Sequence, residues 1–175
     1  PLALTPDGKA LATGGLDGTV RLWDVLTRRQ TRVLAADHGD VWCLDFSPDG
    51  QLLATGDRGW GGTGGTLRLW DWKAGRGVAR PEDQHGAHCV SFAPDGKTLA
   101  VGHHPHIHVR DTATGGLRHK LESAHGEFVR ALGYLPDGTL VWAGGADRVL
   151  VHAVGLWDVP AGRRLHQLGS GEGYH

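Results

Sequence analysis

Pro6-Asp7-Gly8 recurs as Pro48-Asp49-Gly50, Pro94-Asp95-Gly96 and Pro136-Asp137-Gly138, and the steps between successive prolines are 42, 46 and 42 residues. A fixed period in the forties marks a chain built from repeated supersecondary units. The tripeptide itself reads as a hairpin turn. Proline presets φ at about −65°, Asp can bond its own backbone, and Gly takes the left-handed conformation that closes the loop.

Working outward from Pro48, the clearest unit runs from Val41 to Arg80. Val41-Trp42-Cys43-Leu44-Asp45-Phe46 has strand composition, and Leu52-Leu53-Ala54-Thr55 follows the turn as a second strand. In Thr66-Leu67-Arg68-Leu69-Trp70-Asp71 apolar and polar residues alternate with period two. Ala74-Gly75-Arg76 then turns the chain into a weaker fourth strand at Gly77–Arg80. Each unit is therefore expected to be a four-stranded antiparallel meander. One such sheet cannot bury both faces alone and needs neighbours stacked against it. Radial stacking of blades gives a β-propeller, and no segment carries a helical period. The expected fold is all-β, a single propeller segment over residues 1–175 with blades at about 1–36, 37–84, 85–122 and 123–175.

Composition bounds the function. Formal net charge is −1, so no global field draws the chain to nucleic acid or to an anionic membrane. No apolar run approaches the roughly 18–20 residues that span a bilayer. The 29 glycines suit many tight turns. Cys43 and Cys89 each stand three residues before the aromatic of their unit, Phe46 and Phe92. They are expected to be small, buried and reduced, in keeping with a cytoplasmic protein. The chain opens at Pro1 inside a repeat and is expected to belong to a longer protein.

Val20-Arg21-Leu22-Trp23-Asp24, Leu67-Arg68-Leu69-Trp70-Asp71 and Gly155-Leu156-Trp157-Asp158 resemble the Trp-Asp signature of the WD-repeat β-propeller family. His38-Gly39, His85-Gly86 and His125-Gly126 resemble its Gly/His element with the two residues reversed, and the likeness covers essentially the whole chain. The regular units resemble bacterial members in particular. The family often joins a His, a Ser or Thr, an Asp and the Trp in a buried hydrogen-bonded group. Carried over, this implies Thr13, Asp17 and Trp23 in the first unit and His38, Thr55 and Trp70 in the second. In the fourth it implies His125, Asp147 and Trp157. No unit has the full set: the insertion Arg58–Gly65 displaces the second Asp, Val101 and Arg110 replace the third hydroxyl and Trp, and Ala143 stands at the fourth hydroxyl position. The resemblance also implies closure with about seven blades. Four blades therefore suggest an incomplete arc of a larger propeller, or else self-association to close the ring.

His103-His104-Pro105-His106-Ile107-His108 is the densest chemical cluster. His106 and His108 would share one strand face, yet a zinc site needs three or four converging ligands. Solvated turn histidines are the expectation, with no metal and no cofactor. No Gly-x-Ser-x-Gly elbow, His-Glu-x-x-His stretch or phosphate-cradling Gly loop with its Lys is present. Arg28, Arg29, Arg32, Arg163 and Arg164 read as solvated edge charges. What the resemblance implies instead is a peptide- or protein-binding rim at the start of each innermost strand. The candidates there are Trp42, His88 and Arg130 or Phe128, with Leu16 and Ala146 beside them and Trp60 at the tip of the insertion. The sequence thus points to a non-enzymatic scaffold that binds proteins or peptides rather than nucleic acid or membrane. The alternatives are a regulatory propeller attached to a signalling enzyme such as a kinase, and a propeller enzyme with its site in the central channel.

Overall fold

The computed structural model describes residues 1–35, 39–57, 65–79, 86–122, 128–145 and 152–168. Among them are sixteen strands and no helix. Blade 1 comprises β1 (Leu2–Leu4), β2 (Ala10–Gly14), β3 (Thr19–Asp24) and β4 (Arg29–Ala35). Blade 2 comprises β5 (Val41–Phe46), β6 (Leu52–Asp57), β7 (Leu67–Asp71) and β8 (Arg76–Ala79). Blade 3 holds β9 (Cys89–Phe92), β10 (Thr98–Gly102), β11 (His106–Asp111) and β12 (Leu117–Glu122). Blade 4 holds β13 (Phe128–Tyr134), β14 (Thr139–Gly145), β15 (His152–Asp158) and β16 (Arg163–Leu168). Every blade is an antiparallel meander in sequence order. The first strands β1, β5, β9 and β13 pack against one another from blade to blade and are innermost.

The turns form for the reasons their residues suggest. Asp7, Asp49, Asp95 and Asp137 each accept the N–H two residues on, at 2.9–3.0 Å. Gly8, Gly50, Gly96 and Gly138 follow with φ between 66° and 85°. The Asp of each Trp-Asp pair caps the next turn: Asp24 accepts the Thr27 N–H at 2.7 Å, Asp71 that of Ala74 at 3.0 Å and Asp158 that of Ala161 at 3.1 Å. Asp111 takes the same part in blade 3 with Thr114 at 2.8 Å.

Burial lies between the sheets. Three apolar clusters match the three interfaces between successive blades. Leu22 and Val20 meet Phe46 and Leu53, Leu69 and Leu67 meet Phe92 and Leu99, and Ile107 and Val109 meet Leu140 and Trp142. Glycine sets the spacing at the inner ends. A Cβ on Gly14 would lie 2.5 Å from Val41 Cγ1 of the next blade, and one on Gly56 would lie 2.6 Å from Ala87 Cβ. A Cβ on Gly102 would meet Val129 Cγ1 at 2.8 Å. These glycines are 42 and 46 residues apart, the same steps as the first three Pro-Asp-Gly turns.

Blade 4 corrects the sequence alignment. Its first hairpin is one residue shorter: Leu135 N–H bonds Thr139 O, whereas Thr5, Ser47 and Ala93 each reach five residues on. The shortening shifts β14 by one position. The residue diagonal to Trp157 is therefore Trp142, not Ala143, because Trp157 pairs with Leu140 just as Trp23 pairs with Leu11 and Trp70 with Leu53.

Candidate functional site

Three candidate binding residues occupy one structural position. Trp42 is the bulged residue of β5, between Val41 and Cys43, and Arg130 is the bulged residue of β13, between Val129 and Ala131. His88 stands at the equivalent point, where its N–H bonds Gly102 O at 2.9 Å and β9 begins. A bulge re-aims a side chain that the ladder would otherwise hold on one face of the sheet. Trp42 is 41% exposed and Arg130 is exposed, so the first strands of blades 2, 3 and 4 present an indole, an imidazole and a guanidinium along one rim. Phe128 joins them, with its ring 5.8 Å from that of His88 and 4.1 Å from that of the exposed His104. Leu16, 77% exposed, lies on the turn after β2, at the same end of the strands. Trp60 and Ala146 fall outside the described residues.

The blade-internal groups are partial. Trp23 Nε1 donates to Thr13 Oγ1 and Trp70 Nε1 to Thr55 Oγ1, both at 3.0 Å. Asp17 does not join its pair. It is exposed and accepts from Thr19 N–H at 3.1 Å, Thr19 Oγ1 at 2.7 Å and Arg21 Nη2 at 2.7 Å. The Thr19 hydroxyl and Arg21 hold its carboxyl down at about 2. In blade 2 the corresponding carboxylate is Asp57 at the start of the insertion, missed in sequence because it comes two positions after Thr55. Asp57 is 3% exposed and accepts both Thr66 N–H, at 3.0 Å, and the Thr66 hydroxyl. In blade 4 the indole N–H groups of Trp142 and Trp157 are buried without an acceptor among the described residues. In blade 3, Arg110 is buried in place of the Trp and donates to Gly115 O at 2.9 Å. His38, His125 and Asp147 fall outside the described residues.

Within the histidine cluster, His104 is exposed as expected and His106 half-buried, whereas two residues depart from the expectation of solvated turn histidines. His103 and His108 are buried, with ring centroids 4.6 Å apart, and His106 stacks on His108 at 6.4 Å. His103 Nδ1 lies 3.2 Å from Gly86 O. A carbonyl can only accept, so this nitrogen carries the proton. His103 is buried because it takes the hairpin position of Gly15 and Asp57, its N–H bonding His106 O at 2.8 Å. Among the described residues no group of three or more His, Cys, Asp or Glu converges as a metal site. Cys43 and Cys89 are free, buried thiols 3.5 Å from Ala87 O and Val129 O of the next blade. Burial pushes the Cys89 thiol up to about 12 and that of Cys43 well above its ordinary value. Neither is a nucleophile at neutral pH.

At the opposite end of the strands, a groove of about 640 Å³ opens between blades 1 and 2. Arg32, expected as a solvated edge charge, reaches across it and donates to Lys73 O at 3.2 Å.

The repeat, its turns and its blade geometry define a β-propeller segment of four-stranded antiparallel blades. The sequence model of the WD domain, G-beta repeat, matches residues 2–24 and 28–71, which hold the first three strands of blades 1 and 2. Over 70 residues it is 37% identical to WD repeat-containing protein VIP3 of Arabidopsis thaliana, covering 40% of this chain and 21% of that protein. It is 38% identical over 68 residues to the serine-threonine kinase receptor-associated protein of Dictyostelium discoideum, covering 39% and 22%. With protein groucho of Drosophila melanogaster the figures are 35% over 75 residues, 43% and 10%. The matches thus span only about a tenth to a fifth of the length of these relatives. Among solved structures, Kuenenia stuttgartiensis hydrazine synthase superposes with a TM-score of 0.87 over 97% of this chain and 48% of that one. At 20% identity that likeness concerns the fold alone.

Proposed function

We propose that this chain is a non-enzymatic protein-interaction scaffold whose working face is the rim carrying Trp42, His88 and Arg130. One observation carries the reading: three successive blades use the same strand-start position, a bulge in two of them, to hold a large indole, an imidazole and a guanidinium. Trp and Arg are the side chains on which binding energy in protein interfaces concentrates. The reading also draws support from the WD-repeat relatives, and from the inert character of the two thiols.

The test is affinity capture from a lysate of the source cells, quantified by mass spectrometry, comparing the wild-type chain with the Trp42→Ala/Arg130→Ala double variant. Both side chains are exposed, so melting temperature should hold. Proteins retained by the wild type should be lost by at least about tenfold in the variant, as for hot-spot residues. Equal retention by both would exclude the rim as the working face.

A further inference from the structure

Each internal interface pairs two faces of fixed composition. The earlier blade gives the apolar pair of its third strand: Val20 and Leu22, then Leu67 and Leu69, then Ile107 and Val109. All six are at most 1% exposed. The later blade gives the residues four and two places before the proline of its turn: Leu44 and Phe46, Val90 and Phe92, Leu132 and Tyr134.

The chain also carries one unmatched face of each kind. On the side of blade 1 away from blade 2, Leu2 and Leu4 are 68% and 53% exposed, whereas Leu44 and Phe46 at the same positions are 8% and 5% exposed. Trp23 and Thr13 make there, half-buried, the bond that Trp70 and Thr55 make buried. Val25 is exposed, while Val159 at the same position of blade 4 is buried. Arg21 belongs to this face but is paired with Asp17 at 2.7 Å, so it adds no net charge. On the side of blade 4 away from blade 3, Val154 and Leu156 are half-buried, with Ala143 and the exposed Ala131 level with Val154. The packing of first strands runs from β1 to β5, β9 and β13 and does not return to β1.

What covers such faces is visible three times within the molecule, since each kind is covered by the other. A second copy of the chain supplies both. Propellers close with about four to eight blades, so arcs of four that do not close on themselves reach that range as a ring of copies only in pairs. A head-to-tail contact used twice gives a closed ring rather than a fibre. The inner end of the blade 4 face also suits blade 1. By strand pairing, Val141 and Ala143 stand where blade 2 has Ala54 and Gly56 and blade 3 has Ala100 and Gly102. Those glycines are opposed by Ala87 and Val129 of the next blade. The three-residue β1 brings no side chain level with Ala87 or Val129, which leaves room for the larger side chains of blade 4.

We propose that two copies of this chain close an eight-blade ring, with Leu2 and Leu4 of each packed on Val154 and Leu156 of the other. The two-fold axis is then the channel axis, so both sets of Trp42, His88 and Arg130 stand at one end of the ring.

Sedimentation equilibrium of the 175-residue chain should give twice the chain mass. Leu4→Glu and Leu156→Lys should each raise the dissociation constant by at least about a hundredfold, because each leaves an unpaired charge in both contacts. Leu2→Glu, at the most exposed of these positions, should do the same, and circular dichroism should show the β spectrum kept in all three. An equimolar mixture of Leu4→Glu and Leu156→Lys should recover the dimer with one copy of each. One contact is then wild type at both positions, and the other sets the new carboxylate against the new ammonium. A wild-type chain that stays monomeric up to about 100 μM would overturn the proposal and leave both faces to blades of another polypeptide. A dimer indifferent to Leu2→Glu and Leu4→Glu, or a mixture that stays monomeric, would overturn it equally.

Discussion

Buried donors need acceptors, and the two Trp–Thr pairs show how the repeat meets that need. Trp70 is 3% exposed and bonds Thr55, so Trp70→Ala should cost about 3–5 kcal/mol as a buried aromatic truncation. Thr55→Val leaves the indole N–H without its acceptor and should cost about 1–3 kcal/mol. Urea titrations followed by circular dichroism check both. Asp45 makes a different prediction. Its carboxylate crosses from blade 2 to accept Phe92 N–H of blade 3 at 2.7 Å, and burial pushes it up to about 6 from an ordinary 3.8. A raised carboxyl favours the folded state most when protonated, so its contribution is full below the unfolded value and is lost as pH rises through about 6. Asp45→Asn keeps a carbonyl acceptor without the charge. It should gain about 1–3 kcal/mol at neutral pH and lose that advantage near pH 4. Melting curves of the two proteins that stay parallel from pH 4 to 7 would contradict this.

At the scale of strands and turns, the Pro-Asp-Gly tripeptides made the hairpins legible because each residue has one local job, independent of tertiary context. What lay beyond them was less legible. The residue lost after Pro136-Asp137-Gly138 leaves the tripeptide intact, so the shift that brings Trp142 against Trp157 shows only in the strand pairing. The burial of His103 likewise comes from its place at a hairpin mouth, which composition does not reveal. The interblade glycines did carry a signal, their spacing of 42 and 46 residues, but glycine is too common here for it to stand out by itself. Gly56→Ala tests their role. The new methyl would lie 2.5 Å from Cys43 Sγ and 2.6 Å from Ala87 Cβ, and overpacking of this kind costs about 1–3 kcal/mol. Thermal melts should show the loss, and Cys43→Ala in the same chain should recover part of it.

For the whole molecule, stability and recognition are divided between places. Apolar burial lies in the three interfaces between blades, while the strand-start bulges and the turn-side groove stand at opposite ends of the strands. The equivalence of Trp42, His88 and Arg130 was readable once the units were aligned, since all three stand six residues before the proline of their turn. The groove was not readable, because it joins residues from Thr5 to Lys73 that only the packing of two blades brings together. The most direct measurement of the central claim is hydrogen–deuterium exchange of the chain with and without the protein most strongly captured by it. Protection should appear in the segments 39–44, 86–90 and 128–132, which carry the rim, and should vanish with Trp42→Ala/Arg130→Ala. Protection confined to other segments, or unchanged in that variant, would contradict the account.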